Sequence, residues 1–177
     1  MAGKEIIVGI DPGLTGGIAI FENGVPTVHD MPVIADRTGG KNSVDIDGVM
    51  AMLPPTAKIV IERQQAMQKQ GVASTFQTGL NYGKLLGLIV ALAYEHEIVA
   101  PSAWAKVVGK PAKTGKEWNV AEARRRWPHL KDVLLKSKDG RSDALLIGST
   151  AVTAIVDEPE PETEEQEEFE PVVLPDW

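Results

Sequence analysis

The chain has 177 residues, no cysteine, three histidines and a formal net charge of −7 at pH 7. This length suits one domain with a sizeable core, because domains of about 100 to 150 residues are the commonest. Without cysteine there is no disulfide framework and no thiolate metal site, so a metal ion would need carboxylates or histidines as ligands. The sequence shows no export signal and no apolar run long enough to span a bilayer, so we expect a soluble cytoplasmic protein.

The negative charge is concentrated at the C-terminal end of the chain. Residues 157–177 hold ten acidic side chains and no basic one, whereas the preceding 156 residues hold 18 basic and 15 acidic side chains. Within this body, residues 106–141 hold 11 basic and four acidic side chains. A basic segment of this density indicates a polyanionic partner such as nucleic acid. A solvated charged surface is the plainer alternative.

Strands are predicted for the first third of the chain. Residues 4–11 and 17–22 are rich in Ile, Val and Phe and are separated by a turn of Gly, Pro and Thr. A third strand near residues 27–31 follows an Asn-Gly turn and completes an antiparallel meander. A short helix over 45–53 and a fourth strand over 58–62 come next.

Helices dominate the remainder of the body. A long helix is predicted over 74–95, in which Gly79, Gly83 and Gly87 recur every four residues. Because glycine weakens a helix, this stripe predicts the close approach of a sheet or of a partner helix. A fifth strand is predicted over 97–100, with further helices over 102–106, 120–127 and 142–156. This order indicates an α/β fold with a mixed sheet.

The chain divides into a folded body, residues 1–156, and an acidic tail, residues 157–177. The tail is too polar to bury enough apolar area to offset chain entropy, so we expect it to be disordered. Its apolar tip predicts a docking peptide, with an incidental end of a solubilising tail as the alternative. The tip consists of Phe169, Val172, Val173, Leu174 and Trp177.

Acidic side chains stand at the ends of three predicted elements. Asp11 ends the first strand, Glu62 ends the fourth, and Asp139 and Asp143 lie at the start of the last helix. If the first and fourth strands are neighbours, Asp11 and Glu62 meet at one edge of the sheet. Converging carboxylates raise each other's pKa, and a bound cation makes such a cluster tolerable. Oxygen ligands select Mg²⁺ or Mn²⁺, and a pair of such ions serves in-line attack on a phosphodiester.

Each acid also has a structural alternative. Asp11 suits an Asx turn before Pro12, and Glu62 suits an ion pair with Arg63. The remaining two acids suit a turn and a helix N-terminus, respectively. In the metal-binding interpretation, Gly16 and Gly17 keep bulk off the turn after Asp11, so that a phosphate and its metal ions can approach.

Three segments of the chain resemble the motif blocks of RuvC-like Holliday junction resolvases, especially the phage-encoded branch. They are GIDPGLTGGIAI, IVIERQQAM and KDGRSDALLIG, in this order. The linking pieces GLNYGKLLGLIVAL, VAPSAWAKVVGKP and NVAEARRRWP are similar as well. The resemblance therefore covers residues 5 to about 152.

The resemblance implies an RNase H-like mixed five-stranded sheet flanked by helices. It further implies a homodimeric crossover junction endodeoxyribonuclease that makes paired symmetric nicks in branched DNA during recombination, replication or packaging.

The implied catalytic metal ligands are Asp11, Glu62 and Asp143, with Asp139 as the fourth. They would hold two Mg²⁺ ions, with Mn²⁺ as a substitute. The last two acids are four positions apart here, whereas many resolvases space them three apart. For a phage-encoded chain, the cytoplasm would be that of the host.

The resemblance also implies residues that contact DNA. The family inserts side chains from the loop after the second motif into the centre of the junction. Here residues 64–71 contain no aromatic, so Gln65 or Met67 would have to serve, with Lys69 beside them. An ordinary apolar loop or core residue is the alternative for Met67. Phosphate contacts are expected from Lys106, Lys110, Lys113 and Lys116.

Two other functions fit the same residues. One keeps the fold and changes the substrate to a DNA flap or an RNA–DNA hybrid. The other is a catalytically weak junction-binding scaffold protein. For the acidic tail, two roles stay open: competition with DNA for the basic segment, or docking of a replication or packaging protein.

Overall fold

The computed structural model describes residues 5–35, 41–66 and 71–156. The junction-wedge candidate Met67, its neighbour Lys69 and the acidic tail lie outside the described residues. Seven strands are present in the described part: β1 Ile6–Asp11, β2 Gly17–Glu22, β3 Val25–Asp30, β4 Val33–Ile34, β5 Ser43–Val44, β6 Lys58–Glu62 and β7 His96–Val99. The helices are α1 Ile46–Met52, α2 Val72–Ala91, α3 Pro101–Val107, α4 Lys116–Arg126 and α5 Asp139–Val156. Single 3₁₀ turns occur at Pro128–Leu130 and Lys136–Lys138.

Five strands form one mixed sheet in the order β3-β2-β1-β6-β7. The first three are antiparallel neighbours, whereas β6 runs parallel to β1 and β7 runs parallel to β6. The predicted meander and the predicted mixed five-stranded sheet flanked by helices are confirmed. Within the described ranges, no helix is both long and apolar enough to cross a membrane.

The pairing register places the strand-end acids in one row. Asp11 pairs with Gly17 on β2, and Gly17 pairs with Asp30 on β3. On the other side, Ile10 pairs with Ile61, the residue before Glu62. Asp11 and Glu62 therefore lie at the same edge of the sheet on neighbouring strands, as the sequence predicts.

Alternating strand residues supply a core on each face of the sheet. On one face, Val8, Ile10 and Ile59 pack against α1 and α2 through residues such as Val49 and Leu85. On the other face, the side chains of β1, β2 and β6 pack against α3, α4 and α5. Each fully buried Ile or Leu contributes about 1.5–3 kcal/mol, so the sheet is fixed from both sides.

Glycine contacts bring α5 unusually close to β1 and β2. A Cβ added to Gly9 would lie 2.2 Å from the carbonyl oxygen of Ala144, and one added to Gly17 would lie 2.7 Å from that of Gly140. The interpretation that Gly16 and Gly17 leave room for a phosphate is wrong, because protein backbone already fills the space beside both. A Cβ on Gly16 would lie 2.1 Å from the carbonyl oxygen of Asp11. These glycines seat the first turn of α5 on the sheet edge.

Helix boundaries differ from the predictions at two places that matter for the site. The helix predicted from residue 120 begins at Lys116, directly after Gly115. The last helix begins at Asp139 rather than at residue 142, so Asp139 and Asp143 lie one turn apart in α5. Local composition concealed both starts, since Gly115 and Gly140 are typical of loops.

The glycine stripe of α2 is exposed. No atom of the described chain, apart from the helix's own backbone and the adjacent residues, lies within 4 Å of a Cβ built on Gly79, Gly83 or Gly87. Exposed apolar side chains flank the stripe, including Phe76 at 70% and Val90 at 62% exposure. The stripe therefore does not serve packing against the sheet in the described chain, and a partner helix stays a prediction.

Candidate functional site

The carboxylate of Asp11 is the most buried of the acidic groups at the sheet edge. Burial is the main cause that raises the pKa of Asp11 to about 7, and the nearby carboxylates of Asp143 and Glu62 raise it further. The backbone N–H of Gly13 donates to Asp11 Oδ1 at 3.4 Å, so the Asx-turn alternative for Asp11 also holds. The carboxylates of Asp11 on β1, Glu62 on β6 and Asp143 on α5 are thus close enough for their charges to repel one another. Acids from three elements converge at this edge of the sheet.

Glu62 is held by two neutral donors. Trp104 Nε1 on α3 donates to Glu62 Oε1 at 2.8 Å, and Gln64 Nε2 donates to Glu62 Oε2 at 3.2 Å. Burial raises the pKa of Glu62, and Asp143 adds to this, while the bond from Trp104 acts in the opposite direction. Because both donors are uncharged, they fix the orientation of the carboxylate without neutralising it.

Asp143 enters the cluster from the first turns of α5. Asn119 Nδ2 on α4 donates to Asp143 Oδ1 at 2.6 Å. Burial raises the pKa of Asp143, the bond from Asn119 lowers it, and the charge of Asp139 raises it. Asn119 is only 2% exposed, and its own Oδ1 is buried with no hydrogen-bond partner in the part of the chain that the structure describes.

Asp139 joins the cluster through its contact with Lys116 and through its charge, which acts on Asp143. Lys116 Nζ, at the start of α4, lies 2.5 Å from Asp139 Oδ2. This contact raises the pKa of Lys116, and the charges of Asp143 and Asp11 add to the effect. Lys116 therefore supplies positive charge to the acids, in addition to its predicted role as a phosphate binder.

The donor set fits a hard divalent cation in its chemistry. Three partly buried carboxylates with raised pKa values would be stabilised in their charged forms by a bound cation. All their donor atoms are oxygens, which hard divalent cations prefer. Over residues 5–35, 41–66 and 71–156, however, no three acidic or histidine side chains are already placed to enclose an ion. Closing the site around a metal therefore requires side-chain movement.

Two of the predicted phosphate-binding lysines are at the cluster. Lys116 acts on three of the carboxylates, and Lys110 lowers the pKa of Asp143. Lys110 Nζ also lies 6.0 Å from the centre of the Trp104 ring, above the residue that holds Glu62. Lys106 and Lys113 are exposed on α3 and on the loop that follows it.

The arginines of the basic segment are used within the protein itself. Arg125 and Arg126 pair with Glu122, and Arg124 donates to the carbonyl oxygen of Leu134. Arg141 donates to Asp30 on β3. The lysines therefore provide most of the positive charge that faces outward near the site.

Gln65, the described candidate for junction entry, is exposed three residues after Glu62, in the irregular segment that follows β6. It lines a cavity of about 150 Å³ between the end of β6 and the first turns of α2, together with Thr75 and Tyr82. The structure thus places Gln65 near the edge of the sheet that carries Glu62, beside Gln64.

Sequence reasoning missed the residues that orient the acids, namely Trp104, Asn119 and Gln64. The sequence pattern could have indicated Asn119, because this polar residue lies four positions before the buried Ala123 on the apolar face of its helix. Trp104 carried no comparable signal. A tryptophan in a short helix is usually a core residue, and only the fold brings it to a carboxylate 42 positions away.

No protein-family model matches the chain, and no curated protein sequence is significantly similar to it. Solved structures similar to it include Thermus thermophilus RuvC, at 16% identity and a TM-score of 0.47, covering 85% of this chain and 96% of that chain. Another is T. thermophilus RuvC in complex with Holliday junction substrate, at 13% identity and a TM-score of 0.48, covering 86% and 96%, respectively. The chemistry of the present site follows from its own side chains.

Proposed function

We propose that this protein is a Mg²⁺-dependent endonuclease that resolves four-way DNA junctions by paired symmetric nicks. The observation that carries the proposal is the convergence of Asp11, Glu62 and Asp143 at one sheet edge, beside outward-facing lysines. Buried carboxylates that repel one another are costly to the fold unless they bind a cation. The resemblance of the three motif blocks to RuvC-like resolvases supports the same conclusion and supports a four-way junction as the substrate.

The chain's own residues prepare the site for hydrolysis. Asp11, Glu62 and Asp143 would hold the divalent ions, and Asp139 would join them once it is released from Lys116. When bound, such ions lower the pKa of an attacking water and stabilise the leaving 3′-oxygen. Trp104 and Asn119 keep one oxygen of their carboxylates occupied, which leaves the second oxygen of Asp143 available as a ligand.

The lysines position the DNA backbone. Lys110 and Lys116 lie at the carboxylate cluster, and Lys106 and Lys113 extend the positive surface along α3 and the following loop. Contacts of this kind add affinity and salt dependence but no sequence recognition. We infer that each of these lysines contributes to junction binding, with Lys116 also exchanging its contact with Asp139 for one with phosphate.

We further infer a homodimer formed through the exposed face of α2. Paired nicks at a symmetric junction need two active sites, and the described chain has one carboxylate cluster. The open stripe of Gly79, Gly83 and Gly87 allows a second helix to approach closely, and Phe76 and Leu80 supply apolar area beside it.

Substituting Phe76→Glu should convert the dimer to a monomer in sedimentation experiments. The matched change Val25→Glu, on an exposed apolar residue of the edge strand β3, should leave the dimer intact. A dimer that persists in Phe76→Glu would contradict this interface.

The substrate is tested by comparing three labelled DNAs. A synthetic four-way junction, a flapped duplex and an RNA–DNA hybrid are incubated with the protein in Mg²⁺ and, separately, in Mn²⁺. We expect paired nicks at symmetric positions of the junction, with much slower cleavage of the other two. Preferred cleavage of the flap or the hybrid would favour the alternative nuclease. Tight junction binding without cleavage in either ion would favour the scaffold protein.

A further inference from the structure

A further acidic residue, Asp30, lies in the same row of the sheet as Asp11 but belongs to a different cluster. Asp30, the last residue of β3, pairs across the sheet with Gly17, which pairs with Asp11 on its other side. Two strand spacings, about 10 Å, therefore separate Asp30 from Asp11. At this distance from Asp11, Asp30 is not needed as a ligand of the same metal ion. Its ion pairs with basic side chains therefore have another purpose.

The main partner of Asp30 is Arg141 in the first turn of α5. Arg141 Nε donates to Asp30 Oδ1 at 2.6 Å, and Arg141 Nη2 donates to Asp30 Oδ2 at 2.9 Å. Such a two-point contact fixes both position and orientation. Arg141 Nη1 also donates to the carbonyl oxygen of Val133 at 2.9 Å, and Lys138 Nζ forms an ion pair with Asp30.

Arg141 lies midway between the two acids of α5. At 3.6 residues per turn, a residue two positions away points to nearly the opposite side of the helix. Asp139 and Asp143 face the carboxylate cluster, where Lys116 and Asn119 contact them, and Arg141 reaches the other way to β3. The first turn of α5 is thus held from both sides.

This turn needs such support. The first turn of a helix lacks intrahelical acceptors for its N–H groups and frays readily, and Gly140 lowers its helix propensity further. Gly140 is nevertheless required, because its backbone is packed against that of Gly16 and Gly17. A contact from outside the helix is therefore the available means of fixing the turn.

We propose that Asp30 is a positioning residue for the metal site. Its two-point contact with Arg141 holds the first turn of α5 so that Asp139 and Asp143 face the ends of β1 and β6, from where their side chains can move to close around a divalent cation. The proposal rests on the proposed function only in placing the cation at these acids.

The experiment measures Mn²⁺ binding by calorimetry in three variants. Asp30→Asn and Arg141→Gln each remove the two-point contact, and we expect each to weaken Mn²⁺ binding at least tenfold, as loss of supporting contacts around metal ligands commonly does. The double variant should be no weaker than either single one, because both remove the same contact. The control is Glu122→Gln, since Glu122 pairs with Arg125 and Arg126 within α4, away from the cluster. It should bind Mn²⁺ as the wild type does, even though the loss of its ion pairs lowers its thermal midpoint.

The two single variants separate positioning from long-range charge. If Asp30 acted only through its negative charge, Asp30→Asn would weaken Mn²⁺ binding and Arg141→Gln would strengthen it. Stronger binding in Arg141→Gln, unchanged binding in Asp30→Asn, or no Mn²⁺ binding by the wild type would each overturn the proposal. Wild-type Mn²⁺ binding that depends on Asp30, together with no nicking of any DNA, would instead refute the proposed function and leave the role of Asp30 intact.

Discussion

Asn119 Nδ2 lies 2.6 Å from Asp143 Oδ1, although the two residues are on different helices. The bond fixes one oxygen of Asp143 inside the protein and leaves the other available to a further partner. It also joins α4, which carries Lys116, to α5, which carries Asp139. A single buried amide thus connects the acidic and the basic parts of the site.

Replacing Asn119 with leucine keeps the volume of the side chain and removes the donor. We expect the nicking rate at saturating junction to fall about 10- to 100-fold, because Asp143 loses the contact that orients it. Junction affinity should change little. Asn81→Leu is the matched control. Asn81 is also buried, but its Oδ1 accepts from the Ser43 hydroxyl and from the Val44 N–H on the other face of the sheet. An equal loss of rate in both variants would show a general packing effect.

Trp104→Phe removes the indole donor to Glu62 Oε1 and retains an aromatic ring. We expect about a tenfold loss of nicking rate and a rise in the Mg²⁺ concentration needed for half-maximal rate, because Glu62 loses the shorter of its two described hydrogen bonds and keeps the one from Gln64. Trp118→Phe is the control, since Trp118 packs against the same core without contacting a site carboxylate in the described contacts. A Mg²⁺ dependence unchanged by Trp104→Phe would argue against this orienting role.

Gly17→Ala tests the close seating of α5 on the sheet edge. The added methyl would lie 2.7 Å from the carbonyl oxygen of Gly140. Overpacking of this kind lowers the free energy of unfolding by about 1–3 kcal/mol. We expect denaturant unfolding to show that loss, with reduced nicking because the first turn of α5 moves. Gly71→Ala, whose added methyl meets open space before α2, should change the unfolding free energy by no more than about 1 kcal/mol. Equal stability of the two variants would contradict the described contact.

The raised pKa of Asp11 predicts how stability varies with pH in the absence of metal. Asp11 titrates at about 7 in the fold against 3.8 in the unfolded chain, so between these values the folded state holds more protons. Stability is therefore lost as pH rises through that window. Asp11→Asn removes this loss, and its thermal midpoint should exceed that of the wild type by an amount that grows from pH 4 to 7 and then levels off. A midpoint difference independent of pH would refute the assignment.

Added Mg²⁺ provides the complementary measurement at pH 8. It should raise the thermal midpoint of the wild type, because it binds the folded state only. It should have little effect on Asp11→Asn, which lacks one of the proposed ligands.

The sequence was sufficient for the sheet and for the meeting of Asp11 and Glu62 at one edge of it. Asp11 and Glu62 each end an apolar β-branched run, and adjacent parallel strands bring such ends together regardless of the rest of the fold. It was insufficient for the start of the last helix, because the Lys-Asp-Gly context of Asp139 suggests a turn, whereas tertiary packing of Gly140 on Gly17 makes Asp139 the first residue of that helix. The orienting bonds from Trp104 and Asn119 join residues far apart in sequence, and no local pattern encodes them.

The central claim is that the converging carboxylates cut branched DNA with a divalent cation. The most direct test is the nicking of a synthetic four-way junction by the wild type and by Asp11→Asn in Mg²⁺, with junction binding measured alongside. We predict paired symmetric nicks by the wild type and a loss of at least a thousandfold in Asp11→Asn, which still binds the junction. Nicking by Asp11→Asn at the wild-type rate would contradict the account.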